Sequence, residues 1–314
     1  MQKYIFNRKY LSSQLQNYTI DKLEVKHKVI KNWNYSLAKS DLEKTKEESI
    51  QGDFLTQIFS NILGYKGRIG EDIWNLQPEN KTDVDGTKSD GSLGFFTSTI
   101  KDVRIVIELK NAKTDLDRKQ NRINNTQSPV EQAFSYQFKH KSCKWVIVSN
   151  FKEIRLYHSS TMTEYEVFFM NDLAEDIELF KKFCFLLEKE RLIDRDGKSQ
   201  IDLLYEKNEQ EEFAITKDFY KDYKTVRSQL YKHINLNNPA VDDLIVFEKT
   251  QKILDRFIFV CFCEDTNLLP KDTFKQVIIS AKNSFDISET RIWNQLKGLF
   301  YSIDKGNPPL YQSI

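Results

Sequence analysis

Apolar positions in residues 41–65 fall at Ile50, Phe54, Leu55, Ile58, Phe59, Ile62 and Leu63. Those three- and four-residue offsets predict a helix with one buried face. Gly64 follows the last of them and predicts the helix end, because glycine takes the left-handed cap conformation without strain. Residues 65–89 are polar, with Trp74 and Leu76 as the expected inward contacts. Residues 93–96 and 103–109 then read as neighbouring strands. Residues 126–139 read as a helix, with Ser128 as N-cap and Pro129 at its first position. The run KWVIVS at 144–149 is a short, fully apolar strand, and 153–157 and 165–169 are two more. A helix set between strands, one of them apolar on both faces, predicts an α/β class: a mixed sheet flanked by helices.

Beyond Met170 the pattern changes to charged helical segments at 172–193, 213–235, 244–262, 274–281 and 289–301, with a polar bridge through Gly197. The expected organisation is an N-terminal arm (1–40) holding at most a helix, an α/β domain (41–170) and an all-helical connector (171–314).

Composition changes this picture little. The 314 residues include 22 Phe and 14 Tyr but only 10 Gly and 6 Pro, which suits a globular, helix-rich chain. The 47 basic and 46 acidic residues nearly cancel, so any polyanion partner would have to meet a local basic face. Cys143, Cys184, Cys261 and Cys263 lie mostly in apolar contexts without metal-ligand spacing, and are expected as buried thiols in a reducing compartment. With no apolar leader and no run approaching the roughly 20 residues that span a bilayer, a cytoplasmic protein without membrane contact is expected.

The candidate chemistry lies at the end of the second strand. Residues two apart on a strand share a face, so Glu108 and Lys110 project together while Ile107 and Leu109 face the other way. A hairpin through 97–102 would bring the Asp90 carboxylate beside Glu108. Two close carboxylates repel unless a cation is shared between them. Oxygen ligands suit Mg²⁺, usually held by one or two carboxylates with water and substrate phosphate. Lys110 would orient a water or stabilise charge on the attacked phosphate. A bare Glu-x-Lys is commonly a solvated strand face; the upstream Asp-Gly, the strong strand and the following helix are what raise it to a candidate site.

Asp90 with Glu108-Leu109-Lys110 resembles the core of the PD-(D/E)XK nuclease superfamily. The wider wording SDGSLGFF, IELKNAKTDLDRKQ, SPVEQAFSY and KWVIVSNFKEIRLYHSS is similar to the N-terminal nuclease domain of type IIG restriction-modification enzymes. VFEKTQKILDRFIFVCFCEDTNLLP resembles the helical connector before the adenine methyltransferase of those enzymes. The resemblance implies a metal held by Asp90 and Glu108, with the Leu109 carbonyl as a further ligand, Mg²⁺ (or Mn²⁺) as the ion and Lys110 as catalytic lysine. It puts Glu48 in the place of the first-helix glutamate, with Glu47 adjacent, and matches Gln132 and Tyr136 to a Q-x-x-x-Y element beside the site that touches DNA backbone. The basic residues Lys113, Arg118, Lys119 and Arg122 follow the site and could meet phosphate.

The implied function is metal-dependent hydrolysis of double-stranded DNA by a type II, IIG-like endonuclease in phage defence. The competing class is a catalytically silent module that binds DNA or docks a methyltransferase. A glycine-rich S-adenosylmethionine loop and an Asn-Pro-Pro-aromatic motif do not occur, and Asn307-Pro308-Pro309-Leu310-Tyr311 reads as a linker. The methyltransferase, its cofactor and the target-recognition region are therefore expected in a longer chain or a partner, this chain being a front part or a natural truncation. Cleavage of both strands implies transient dimerisation on DNA.

Overall fold

The computed structural model describes residues 4–39, 42, 45–81, 88–120 and 126–305. Arg122 and residues 307–311 lie outside them. By Cα proximity the chain divides into two units, residues 1–212 and 213–314.

The first unit is built on a six-stranded sheet whose spatial order follows the sequence. Its strands are β1 (Trp74–Lys81), β2 (Lys88–Phe96), β3 (Lys101–Leu109), β4 (Trp145–Ser149), β5 (Glu153–His158) and β6 (Tyr165–Phe169). Neighbours are antiparallel except β3 and β4, which run parallel. A parallel pair needs a crossover, and helix α4 (Pro129–Gln137) supplies it. Ser128 caps that helix and Pro129 occupies its first turn, as the sequence predicts, and Glu131 completes a reciprocal cap with Ser128.

Alternation along β3 divides the core. Ile105, Ile107 and Leu109 join the main apolar cluster on one face, while Val106 packs on the opposite side. Val146 and Val148 of β4 likewise meet Phe134 of α4. The main cluster is covered by helices α1 (Arg8–Leu15), α2 (Leu23–Ala38), α3 (Glu47–Phe54), α5 (Met170–Glu175), α6 (Ile177–Leu187) and α7 (Lys189–Leu192). Helix α3 runs on as a π-helix over Leu55–Ile62 and ends at Gly64, whose φ of 82° fits the expected cap. Trp74 and Leu76 are both buried, as expected, but they sit on a strand, β1, that the polar sequence WNLQPENK does not announce.

The first 40 residues contribute more than a single helix on an arm. Ile5, Phe6, Leu11, Ile30 and Trp33 are buried in the main core, and the Trp33 indole donates to the Phe151 carbonyl at 3.0 Å. Arg8 and Lys182 both pair with the fully buried Glu166 carboxylate. Asn208 accepts from the Asn7 N–H at 2.8 Å and donates to the Ile5 carbonyl at 3.2 Å.

Helix α8 (Gln200–Asn237) spans the division between the units. It begins with a second reciprocal cap, Ser199 with Asp202, and the Asp202 carboxylate also accepts the Trp145 indole at 2.8 Å. The second unit adds α9 (Asp243–Asp265), α10 (Thr273–Asn283) and α11 (Arg291–Lys305) around a small core of Val260, Cys263 and Leu269. An all-helical region thus follows the α/β core, as expected. The four cysteines are free thiols, but Cys261 is exposed, contrary to expectation. It lies two residues from buried Cys263 on α9, and a helix turns such neighbours to different faces. Among the described residues no helix is long and apolar enough to cross a membrane.

Candidate active site

Strand β3 delivers Glu108 and the residue just past its end, Lys110, to the face covered by α4. The register that pairs Gly91 with Ile107 puts Asp90 across from Glu108 on that same face. Gly94 makes the pairing feasible: a Cβ there would come within 2.0 Å of the Asp102 carbonyl, at a bulge in β2–β3.

The three side chains converge. The Lys110 ammonium donates to Glu108 Oε1 and, at 3.1 Å, to the Leu109 carbonyl, and lies 4.0 Å from Asp90 Oδ2. Asp90 Oδ2 in turn accepts the Leu109 N–H at 2.7 Å. Glu108 and Lys110 are 0% and 4% exposed. Glu108 Oε2 is buried and accepts no hydrogen bond from the protein.

Electrostatics follow from this burial. Desolvation pushes the Glu108 carboxyl up to about 8, the Asp90 carboxylate adds to the rise, and Lys110 opposes it. Burial alone would lower the Lys110 pKa, but Glu108 and Asp90 outweigh it and the net shift is upward. The cluster therefore holds protons more firmly than its groups would in water.

Two residues of α3 frame the cluster. Glu47 Oε2 accepts the Asn111 N–H at 2.8 Å, and Gln51 donates to the Asp90 carbonyl at 2.7 Å. Glu48, the expected first-helix glutamate, is exposed, and Glu47 is the residue that reaches the site. The reason is helical phase: Glu47 lies three residues before buried Ile50 and four before Gln51, so all three share the inward face. Gln51 was not anticipated, although the same phase identifies it.

On α4, Gln132 donates to the Tyr136 hydroxyl at 2.9 Å. Burial raises the Tyr136 phenol pKa, the bond from Gln132 opposes that rise, and the charges of Glu108, Lys110 and Asp90 all reach it. Tyr136 therefore stands within electrostatic reach of the cluster, with Gln132 bonded to its hydroxyl. Lys113, Arg118 and Lys119 are exposed on the segment after β3, which is anchored by buried Leu116 and by Asp117 gripping Arg155 at 2.9 Å.

The donor set suits a hard divalent cation. Among the described residues no group of three or more His, Cys, Asp or Glu side chains is arranged to hold a metal. Asp90 and Glu108 are a pair, the number with which Mg²⁺ is usually held alongside water and substrate phosphate. The buried, unmatched Glu108 Oε2 is an oxygen whose desolvation such an ion would offset.

Architecture and cluster together define a mixed-sheet α/β domain with a buried carboxylate–lysine site. Residues 24–203, more than half of the chain, match the family model described as MmeI, N-terminal domain, and the chain belongs to that family of restriction-modification enzyme domains. Comparison with curated proteins and with solved structures gave no match.

Proposed function

We propose that this chain is the DNA endonuclease part of a type IIG restriction-modification enzyme, with a PD-(D/E)XK site that hydrolyses phosphodiesters with Mg²⁺ or Mn²⁺. The observation that carries the reading is the convergence of Asp90, Glu108 and Lys110, with one buried Glu108 oxygen unmatched by any protein donor. A purely structural strand face has little reason to bury the Glu108 carboxylate and the Lys110 ammonium beside a second carboxylate, because burying charge costs several kcal/mol per ion even after relaxation.

In this reading Asp90 and Glu108 hold the ion and Lys110 is the catalytic lysine. A bound divalent ion supplies an acidified water and charge neutralisation at the phosphoryl oxygens. Lys110, kept protonated by its carboxylate neighbours, presents a cation to the non-bridging oxygens of the attacked phosphate. The Leu109 N–H fixes Asp90, and Gln51 fixes the backbone that carries it, so the acidic pair keeps its spacing while substrate enters. Glu47 holds the Asn111 amide where the chain leaves β3. Gln132 and Tyr136 offer polar groups to the DNA backbone beside the site.

A methyltransferase with its S-adenosylmethionine, and a target-recognition region, belong to this proposal as parts of a longer chain or a partner. So does a transient dimer on DNA, which sedimentation with and without DNA would test; a strict monomer in both conditions counts against it. Lys110→Ala separates the roles of the lysine. Loss of cleavage with DNA affinity retained supports catalysis, whereas equal loss of both means that the lysine is structural.

A further inference from the structure

A groove of about 420 Å³ opens between β1, β2 and the β2–β3 hairpin, and strand alternation puts it on the same sheet face as the Asp90 and Glu108 carboxylates. Lys88 and Asp90 share a face of β2, and the registers set Phe96 against Lys101 on one side and against Trp74 on the other. Its floor is the buried pair Trp74 and Phe96, stacked with ring centroids 6.4 Å apart. Among the described residues that line it, the rim carries Arg68, Lys88 and Lys101 together with the Glu79 carboxylate. The Arg68 guanidinium rests 5.2 Å over the Trp74 ring, which holds that cation at the rim. Lys88 meets Glu79 at 3.2 Å, but the two side chains are 48% and 67% exposed, so solvent screens the pair and another anion can take its place.

We propose that this groove carries the sugar-phosphate backbone of the duplex whose scissile phosphate lies at Asp90 and Glu108. The inference rests on the nuclease reading and adds the path of the substrate. The groove is open and its cations are spread along it, which suits a polymer of phosphates better than one small anion. Extended chain rises about 3.3 Å per residue, so Lys88 stands about 7 Å from Asp90, and the hairpin end with Arg68 and Lys101 about 20 Å away. Each DNA strand places one phosphate per about 3.4 Å of duplex axis, so the stretch to the hairpin end spans several phosphates. Lys88 therefore lies within reach of a phosphate next to the cut, and Arg68 with Lys101 within reach of phosphates further along the duplex. Such contacts fix register and orientation and carry no sequence information.

The test is fluorescence anisotropy of the full 314-residue chain with a labelled duplex of two helical turns, in chelator, across a salt series. Arg68→Gln/Lys101→Gln is expected to weaken binding at least tenfold and to flatten the slope of log K against log salt by about two, one for each lost phosphate contact. Lys101→Gln alone should flatten it by about one, and this variant decides the matter if loss of Arg68 from the Trp74 ring disturbs folding. Wild-type affinity and slope in the folded variants overturn the groove while leaving the nuclease reading intact. A wild-type chain with no affinity for duplex overturns both.

Discussion

The Asp90 carboxylate and the Leu109 backbone N–H meet at 2.7 Å, so the acid of β2 also clips β2 to the end of β3. This double role decides which substitution is informative. Asp90→Ala leaves a desolvated N–H without an acceptor, at a cost of about 1–3 kcal/mol, whereas Asp90→Asn keeps an amide oxygen in the same place. Urea denaturation should show Asp90→Asn within about 0.5 kcal/mol of wild type and Asp90→Ala clearly less stable. Equal loss in the two variants would mean that the clip contributes nothing to stability.

Glu108 has a raised folded-state pKa, about 8 against the ordinary 4.5, owing first to burial and then to Asp90. The sign follows from linkage. The neutral acid is the form the fold prefers, so its contribution is full below the unfolded pKa and is lost as pH rises through the folded one. Metal-free wild type should therefore lose stability relative to Glu108→Gln between pH 4.5 and 8, by on the order of a few kcal/mol. Unfolding of both proteins at the two ends of that window measures it; a pH-independent difference would contradict the buried-acid account.

Glu47 and Glu48 are adjacent in sequence and unequal in position, since only Glu47 reaches the Asn111 amide. Removing that charged acceptor should cost about 1–3 kcal/mol, whereas Glu48→Ala on the exposed side should change stability by no more than about 0.5 kcal/mol. Plasmid cleavage should follow the same order, with Glu47→Ala the slower variant. The reverse order would restore Glu48 as the residue of the site.

Deletion of residues 1–38 removes Ile5, Phe6, Leu11, Ile30 and Trp33 from the main core and leaves Glu166 without Arg8. Fully burying each such apolar side chain is worth about 1.5–3 kcal/mol, and the sum over the five is comparable to the whole stability of a typical domain. The truncated protein should lack a cooperative melting transition by circular dichroism. A transition near that of the full chain would show the N-terminal helices to be dispensable.

The strands at 103–109 and 145–149 are legible because each is a β-branched run of strand length, and α4 because Ser128 and Pro129 spell a start signal. Asp90, Glu108 and Lys110 are legible as one group because strand alternation and a short hairpin fix their common face. Strand β1 is hidden: it is an edge strand carrying Pro78 and Glu79, whose φ is 45°, and its pairing with β2 rather than its own pattern defines it. The packing of the first 40 residues is hidden for another reason. Their partners Phe151, Glu166 and Asn208 lie far away in sequence, so nothing local marks them as core. The beginning of α8 could have been read from Ser199 and Asp202, but the segment after them is polar enough to pass for a bridge.

Cleavage of supercoiled plasmid by wild type and by Asp90→Asn, each with Mg²⁺, Mn²⁺ or chelator at low salt, tests the nuclease assignment most directly. Metal-dependent nicking by wild type, absent in chelator and lost in a variant that unfolds like wild type, is the predicted result. Nicking that persists in Asp90→Asn, or in chelator, would contradict a metal site built on Asp90 and Glu108.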